Sequence, residues 1–170
     1  MITLYHGSYI EVQQPLAKAG RRNLDFGQGF YLTKIKEQAE AWATIIASRK
    51  GRNVKPVVSV FQFNEEHAKM DGSRFRIFPA YDLDWLNYVV DCRQGKDYSS
   101  EYDIVEGGVA NDNVIDTVED YEKGIITAEQ ALGQLQYKKV NHQICILNQS
   151  IIDGYMEFIE SYSPKLEDEE

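Results

Sequence analysis

Apolar positions along the chain follow two periods, and the switches between them mark out its elements. Ile2, Leu4 and His6 alternate with Thr3 and Tyr5 before Gly7-Ser8, the period-two pattern of a strand closed by a turn. Val12 to Gln28 has no period, carries Pro15 and Gly20, and reads as a long loop. Phe30-Tyr31-Leu32 follows as a strand; with Phe30 and Leu32 facing the core, Tyr31 turns to the opposite face and offers a flat ring to a ligand. Ile35, Ala39, Trp42, Ala43 and Ile46 recur at helical spacing, with Thr33 as the expected cap and Gly51 as the stop; Trp42, on this stripe, is expected to pack.

Val57 to Phe63 reads as a central strand, Asn64 to Lys69 as a polar segment with a surface His67, and Arg74 to Phe78 as a short strand. Leu83, Leu86, Val89 and Val90 mark a helix over 82–93 that ends near Gly95. Asp103 to Ala110 reads as a strand with a bulge or close contact at Gly107-Gly108. Asn111 is the expected cap of the next helix, and Thr127 with Gln130 spells a capping box for another. In the last clear strand, Asn141 to Leu147, Ile144 and Ile146 alternate against Gln143 and Cys145; a helix or strand over 150–162 closes the fold.

Composition narrows the class. The 170 residues suit one domain, taken as 1–163, followed by an acidic tail over 164–170 that reads as a solvated end. A net charge of −9 argues against strong duplex nucleic-acid binding, which needs clustered cations. Cys92 and Cys145 make no disulfide framework and no zinc-ligand spacing, so both are expected reduced and structural, with no metal. The absence of a leader-like or membrane-spanning apolar segment leads to the expectation of a cytoplasmic protein without membrane contact. No phosphate loop, nucleophile elbow or zinc-protease helix occurs, and Gly27-Gln28-Gly29 precedes a strand where a Rossmann turn would follow one.

Two glycine-containing runs hold the candidate chemistry. Leu4 to Ser8 places an imidazole, backbone groups and a hydroxyl within one turn, enough to hold a ribose and an amide; the alternative is a hairpin end with a half-buried histidine. Leu24 to Thr33 brackets Gln28 with glycines, allowing a sharp turn or close ligand approach. The loop between them is of a length uncommon unless it binds or covers something. Its Arg21-Arg22 pair either meets a pyrophosphate or is simply solvated.

Taken in order, four stretches resemble the α+β ADP-ribosyltransferase fold, a split β-sandwich core with flanking helices, and within it the DUF3990 family of bacterial domains. They are Leu4-Tyr5-His6-Gly7-Ser8; Asn23 to Thr33 leading into Gln38-Ala39; Tyr102 to Val105 with Gly108 to Asp112; and His142-Gln143-Ile144-Cys145. The resemblance implies cleavage of the nicotinamide–ribose bond of NAD, with ADP-ribose passing to a protein or nucleic-acid acceptor, in a toxin-like manner. It implies that His6 bonds a ribose, that the Gly7 backbone grips the carboxamide, and that Tyr31 stacks on nicotinamide, a contact of about 1 kcal/mol. Ser8, Asn23, Asp25, Gly29 and Arg21 complete the implied nucleotide site.

Gln143 stands where the family's transferases carry a glutamate, and a glutamine keeps the hydrogen bond without the charge. Losing one preorganised group of this kind costs about 3 to 4 kcal/mol in rate. Asp25, Asp103, Glu106 and Asp112 are the candidates to supply the missing carboxylate, while His142 is expected to face away. The resemblance therefore leaves three readings: a transferase, an NAD- or ADP-ribose-binding module without turnover, and an interaction module on the same scaffold.

Overall fold

The computed structural model describes residues 1–111, 114–138 and 140–165; the acidic run Leu166 to Glu170 and the candidate Asp112 lie outside them. In chain order the elements are β1 (Ile2–Ser8), β2 (Phe30–Leu32), α1 (Lys36–Lys50), β3 (Val57–Phe63), α2 (Glu65–Met70), β4 (Phe75–Ile77) and α3 (Leu83–Arg93). They continue with β5 (Ile104–Gly107), α4 (Ile115–Glu122), α5 (Ala128–Leu135), β6 (Gln143–Ile146), α6 (Gln149–Tyr155) and β7 (Met156–Tyr162). The class is α+β.

The strands form two sheets, ordered β1-β3-β7 and β2-β6-β5-β4. The first is antiparallel throughout, and in the second only β4 runs parallel to its neighbour β5. Alternation along β6 sends its residues into two different cores. Ile144 and Ile146 meet Leu4, Phe30, Leu32, Phe61 and Phe63 between the sheets. Cys145 turns to the far face, where Trp85, Leu86, Val89, Val118 and Leu135 from α3, α4 and α5 cover it. Hence all four residues of β6 are buried, including Gln143. Each large apolar side chain so buried contributes roughly 1.5 to 3 kcal/mol.

The loop from Tyr9 to Gly29 contains no regular element and is pinned from outside. Val12 N–H donates to Ser59 Oγ on β3, and Gln149 of α6 both accepts from Ala17 N–H and donates to Pro15 O.

Several local expectations are corrected. The buried face of α1 is Ala39, Ala43 and Ala47, while Trp42 is 49% exposed. The cause is Gly7: a Cβ there would lie 2.2 Å from Ala39 O and 2.9 Å from Ala43 N, so α1 lies directly on β1 and only small residues fit between them. The N-cap of α1 is Ile35, not Thr33, whose hydroxyl accepts from Ile35 N–H and contacts His142. The N-cap of α4 is Val114, three residues beyond Asn111. Asn64 to Lys69 falls largely within α2, with the Asn64 side chain accepting from His67 N–H. His67 is exposed, near Asp71 and edge-on to Tyr155. The Thr127–Gln130 capping box is present, and Cys92 and Cys145 are free and buried.

Candidate functional site

The two sheets meet where β1 passes β2. Tyr5 and Thr33 exchange both backbone hydrogen bonds, each 2.9 Å. Along an antiparallel strand, alternate residues point their N–H and C=O to the same side. Two residues out from this bridge, Gly7 and Tyr31 therefore aim their backbone groups into the same seam. No ladder forms between β1 and β2 there. The Tyr31 carbonyl instead accepts from His6 Nδ1 at 2.7 Å, and the Gly7 N–H and C=O have no partner across the seam among the described residues.

The contact with Tyr31 also fixes the tautomer of His6. A carbonyl only accepts, so Nδ1 carries the proton and Nε2 keeps its lone pair, with no described partner. Burial lowers the pKa of His6, only partly opposed by the bond to Tyr31. The ring lies 4.4 Å from Phe30, centroid to centroid.

Tyr31 and Gln143 share the face of the second sheet that carries Cys145, since Tyr31 pairs with Cys145 two residues along β6 from Gln143. Tyr31 is not an open platform. Its hydroxyl donates to Gly27 O at 2.6 Å and accepts from Phe26 N–H at 3.1 Å, and its ring is half-buried against the helical core. Burial foremost, with Cys145 beside it, raises its pKa well above the usual phenol value. Gly29 is fixed by packing: a Cβ there would lie 2.3 Å from Cys145 Sγ.

Gln143 donates through Nε2 to Gly108 O at 3.0 Å and to Asp25 Oδ2 at 3.2 Å, while its amide oxygen has no described partner. Of the candidate carboxylates among the described residues, Asp25, Asp103 and Glu106, only Asp25 bonds Gln143, and both of its oxygens are engaged. Arg93 approaches Asp25 Oδ1 at 3.2 Å, and Ala110 N–H donates to Oδ2 at 2.9 Å. Asp103 is ion-paired with Arg74 at 2.8 Å. Of the remaining expected ligands, Ser8 is half-buried at the end of β1. Asn23 is exposed with φ 58, a left-handed conformation open to asparagine. Arg21 is exposed and forms no ion pair or hydrogen bond among the described residues.

One polar cluster escapes sequence reasoning. His142 Nδ1 accepts from Lys34 N–H at 3.2 Å and lies 3.1 Å from Thr33 Oγ1. Its Nε2 therefore carries the proton and donates to Glu106 Oε1 at 2.8 Å. Lys34 Nζ reaches the same oxygen at 2.8 Å, and Gln38 of α1 bonds both backbone groups of His142. Burial acts most strongly on Glu106 and pushes its pKa up, yet His142 and Lys34 together outweigh it and hold the carboxyl at about 2. As expected, His142 faces away from Gln143. No sequence signal linked Glu106, Lys34 and His142, because the β2–β6–β5 register alone brings them together.

These features define an α+β protein whose two sheets are linked, among the described residues, by the Tyr5–Thr33 backbone bridge, with a buried polar seam beside it. The chain belongs to the family described as Protein of unknown function (DUF3990), whose model matches residues 2–158. No curated protein and no solved structure matches it. No described helix is long and apolar enough to cross a membrane.

Proposed function

We propose that the protein is an NAD-dependent ADP-ribosyltransferase: it breaks the nicotinamide–ribose bond and joins ADP-ribose to a nucleophile on a macromolecular acceptor. Nicotinamide leaves with the bonding electron pair, and the nucleophile gives up its proton. The observation that carries the reading is the seam. The buried Gly7 presents a donor and an acceptor with no partner across the seam among the described residues, and buried backbone groups are paired in nearly all proteins. A primary carboxamide supplies the complementary pair, an N–H and a carbonyl, in one planar group. Beside it, His6 Nε2 offers a lone pair to a ribose hydroxyl. An ADP-ribosyltransferase-like split sandwich accords with the two-sheet architecture, and with the resemblance of the four sequence stretches.

A second reading, NAD or ADP-ribose binding without turnover, is favoured by one specific observation. Among the described residues, the one carboxylate that bonds Gln143, Asp25, is already paired with Arg93. Isothermal titration with NAD tests both readings, and an affinity unaffected by His6→Ala removes them together. Radiolabelled NAD incubated with the protein and a cell lysate separates them: transfer of label to macromolecules marks the transferase, and binding without transfer marks the second reading.

A further inference from the structure

Helix α1 has two apolar faces. One is the alanine face on β1; the other, immediately beside it, carries Trp42, Ile45, Ile46 and Arg49 at positions 3, 1 and 3 residues apart, and Ile35 precedes the helix as its N-cap. Trp42 and Ile45 are 49% and 41% exposed on the helix, and Ile35 at its N-cap is 43% exposed. Contiguous exposed apolar surface rimmed by polar groups marks interaction sites. Arg49 lies over the Trp42 ring at 5.9 Å.

Charge decides the kind of occupant. Residues 34–55 hold six cations, Lys34, Lys36, Arg49, Lys50, Arg52 and Lys55, against Glu37 and Glu40, in a chain whose net charge is −9. Arg49, Lys50, Arg52 and Lys55 pair with no described carboxylate. A second copy would set the long-range repulsion of two chains of net charge −9 against any local gain, and duplex nucleic acid brings no apolar side chains to cover Trp42 and Ile45.

We propose that this face of α1 docks an acidic amphipathic segment of a partner protein, the apolar side on Trp42 and Ile45 and the carboxylates on Arg49 and its basic neighbours. The surface does not depend on the transferase reading. Trp42 is also a built-in probe, because the other tryptophan, Trp85, is fully buried. The experiment adds a synthetic helical peptide of Leu at i, i+3, i+4 and i+7 with Glu elsewhere, and its Lys counterpart, to the full chain. With the Glu peptide the Trp42 emission shifts to the blue and acrylamide quenching falls, saturably and less so at high salt. The Lys peptide binds at least tenfold more weakly. Ile45→Glu combined with Arg49→Glu weakens the Glu peptide at least tenfold, with an unchanged circular dichroism spectrum and melting temperature. Equal binding of the two peptides, or an unaffected double variant, overturns the proposal. So does a shift of Trp42 emission with NAD alone, which would assign the stripe to the nucleotide.

Discussion

Gln143 is the residue on which chemistry and stability pull apart. Its position suggests restoring a glutamate, yet the side chain acts here as a donor, to Gly108 O and to Asp25 Oδ2. An ionised carboxylate donates nothing and would face both a carbonyl and a second carboxylate. Gln143→Glu is therefore expected to destabilise the fold at pH 7 by about 1 to 3 kcal/mol, the cost of unpaired buried polar groups. The sign with pH follows from burial and Asp25, which raise the introduced carboxyl above its unfolded value of about 4.3. Its penalty is absent below that value, grows as pH rises towards the raised pKa, and then levels off. Urea unfolding of both proteins from pH 4 to pH 8 measures this, and a difference that stays constant across the range contradicts it.

At the scale of elements, the strands and the Thr127–Gln130 capping box were legible, whereas the caps expected at Thr33 and Asn111 lie instead at Ile35 and Val114. The period-two runs marked β1, β2 and β6, the apolar run over 57–63 marked β3, and Thr127 with Gln130 marked the start of α5, because these signals are local. The buried face of α1 was not legible. Helical spacing alone fits two adjacent stripes, and the choice between them rests on Gly7, a residue 29 positions before the helix begins. In the candidate site, His6 and Tyr31 were readable as neighbours, but the tie of the Tyr31 hydroxyl to Gly27 and the Glu106–His142–Lys34 cluster depend on register. Gly7 is thus expected to be a packing glycine as well as part of the seam. Gly7→Ala forces α1 away from β1 and costs about 1 to 3 kcal/mol, the usual penalty of overpacking. A melting temperature equal to that of the parent protein would show that α1 yields freely.

Across the whole molecule, acid stability rests on carboxylates that tie separate elements together. Asp103 accepts from the backbone N–H of Arg74 at 2.7 Å and from Asn148 Nδ2 at 2.6 Å, and pairs with the Arg74 guanidinium at 2.8 Å. Arg74 directly precedes β4, Asp103 precedes β5 and Asn148 caps α6, so one side chain joins both parallel strands to the last helix. The hydrogen bonds from Arg74, outweighing burial, hold its carboxyl at about 2. Because the folded value lies below the unfolded value of about 3.9, its stabilisation is complete above pH 4 and lost as pH falls through about 2. Arg74 is half-exposed, so solvent takes up much of what the pair loses. Asp103→Asn is expected to cost about 1 to 2 kcal/mol at pH 7. Between pH 4 and pH 2 its stability should fall less steeply than that of the parent, because the group that titrates is gone. Other carboxylates titrate in both proteins and cancel in the comparison. Guanidinium unfolding curves across that interval that run parallel for the two proteins would show that the ion pair does not hold the junction.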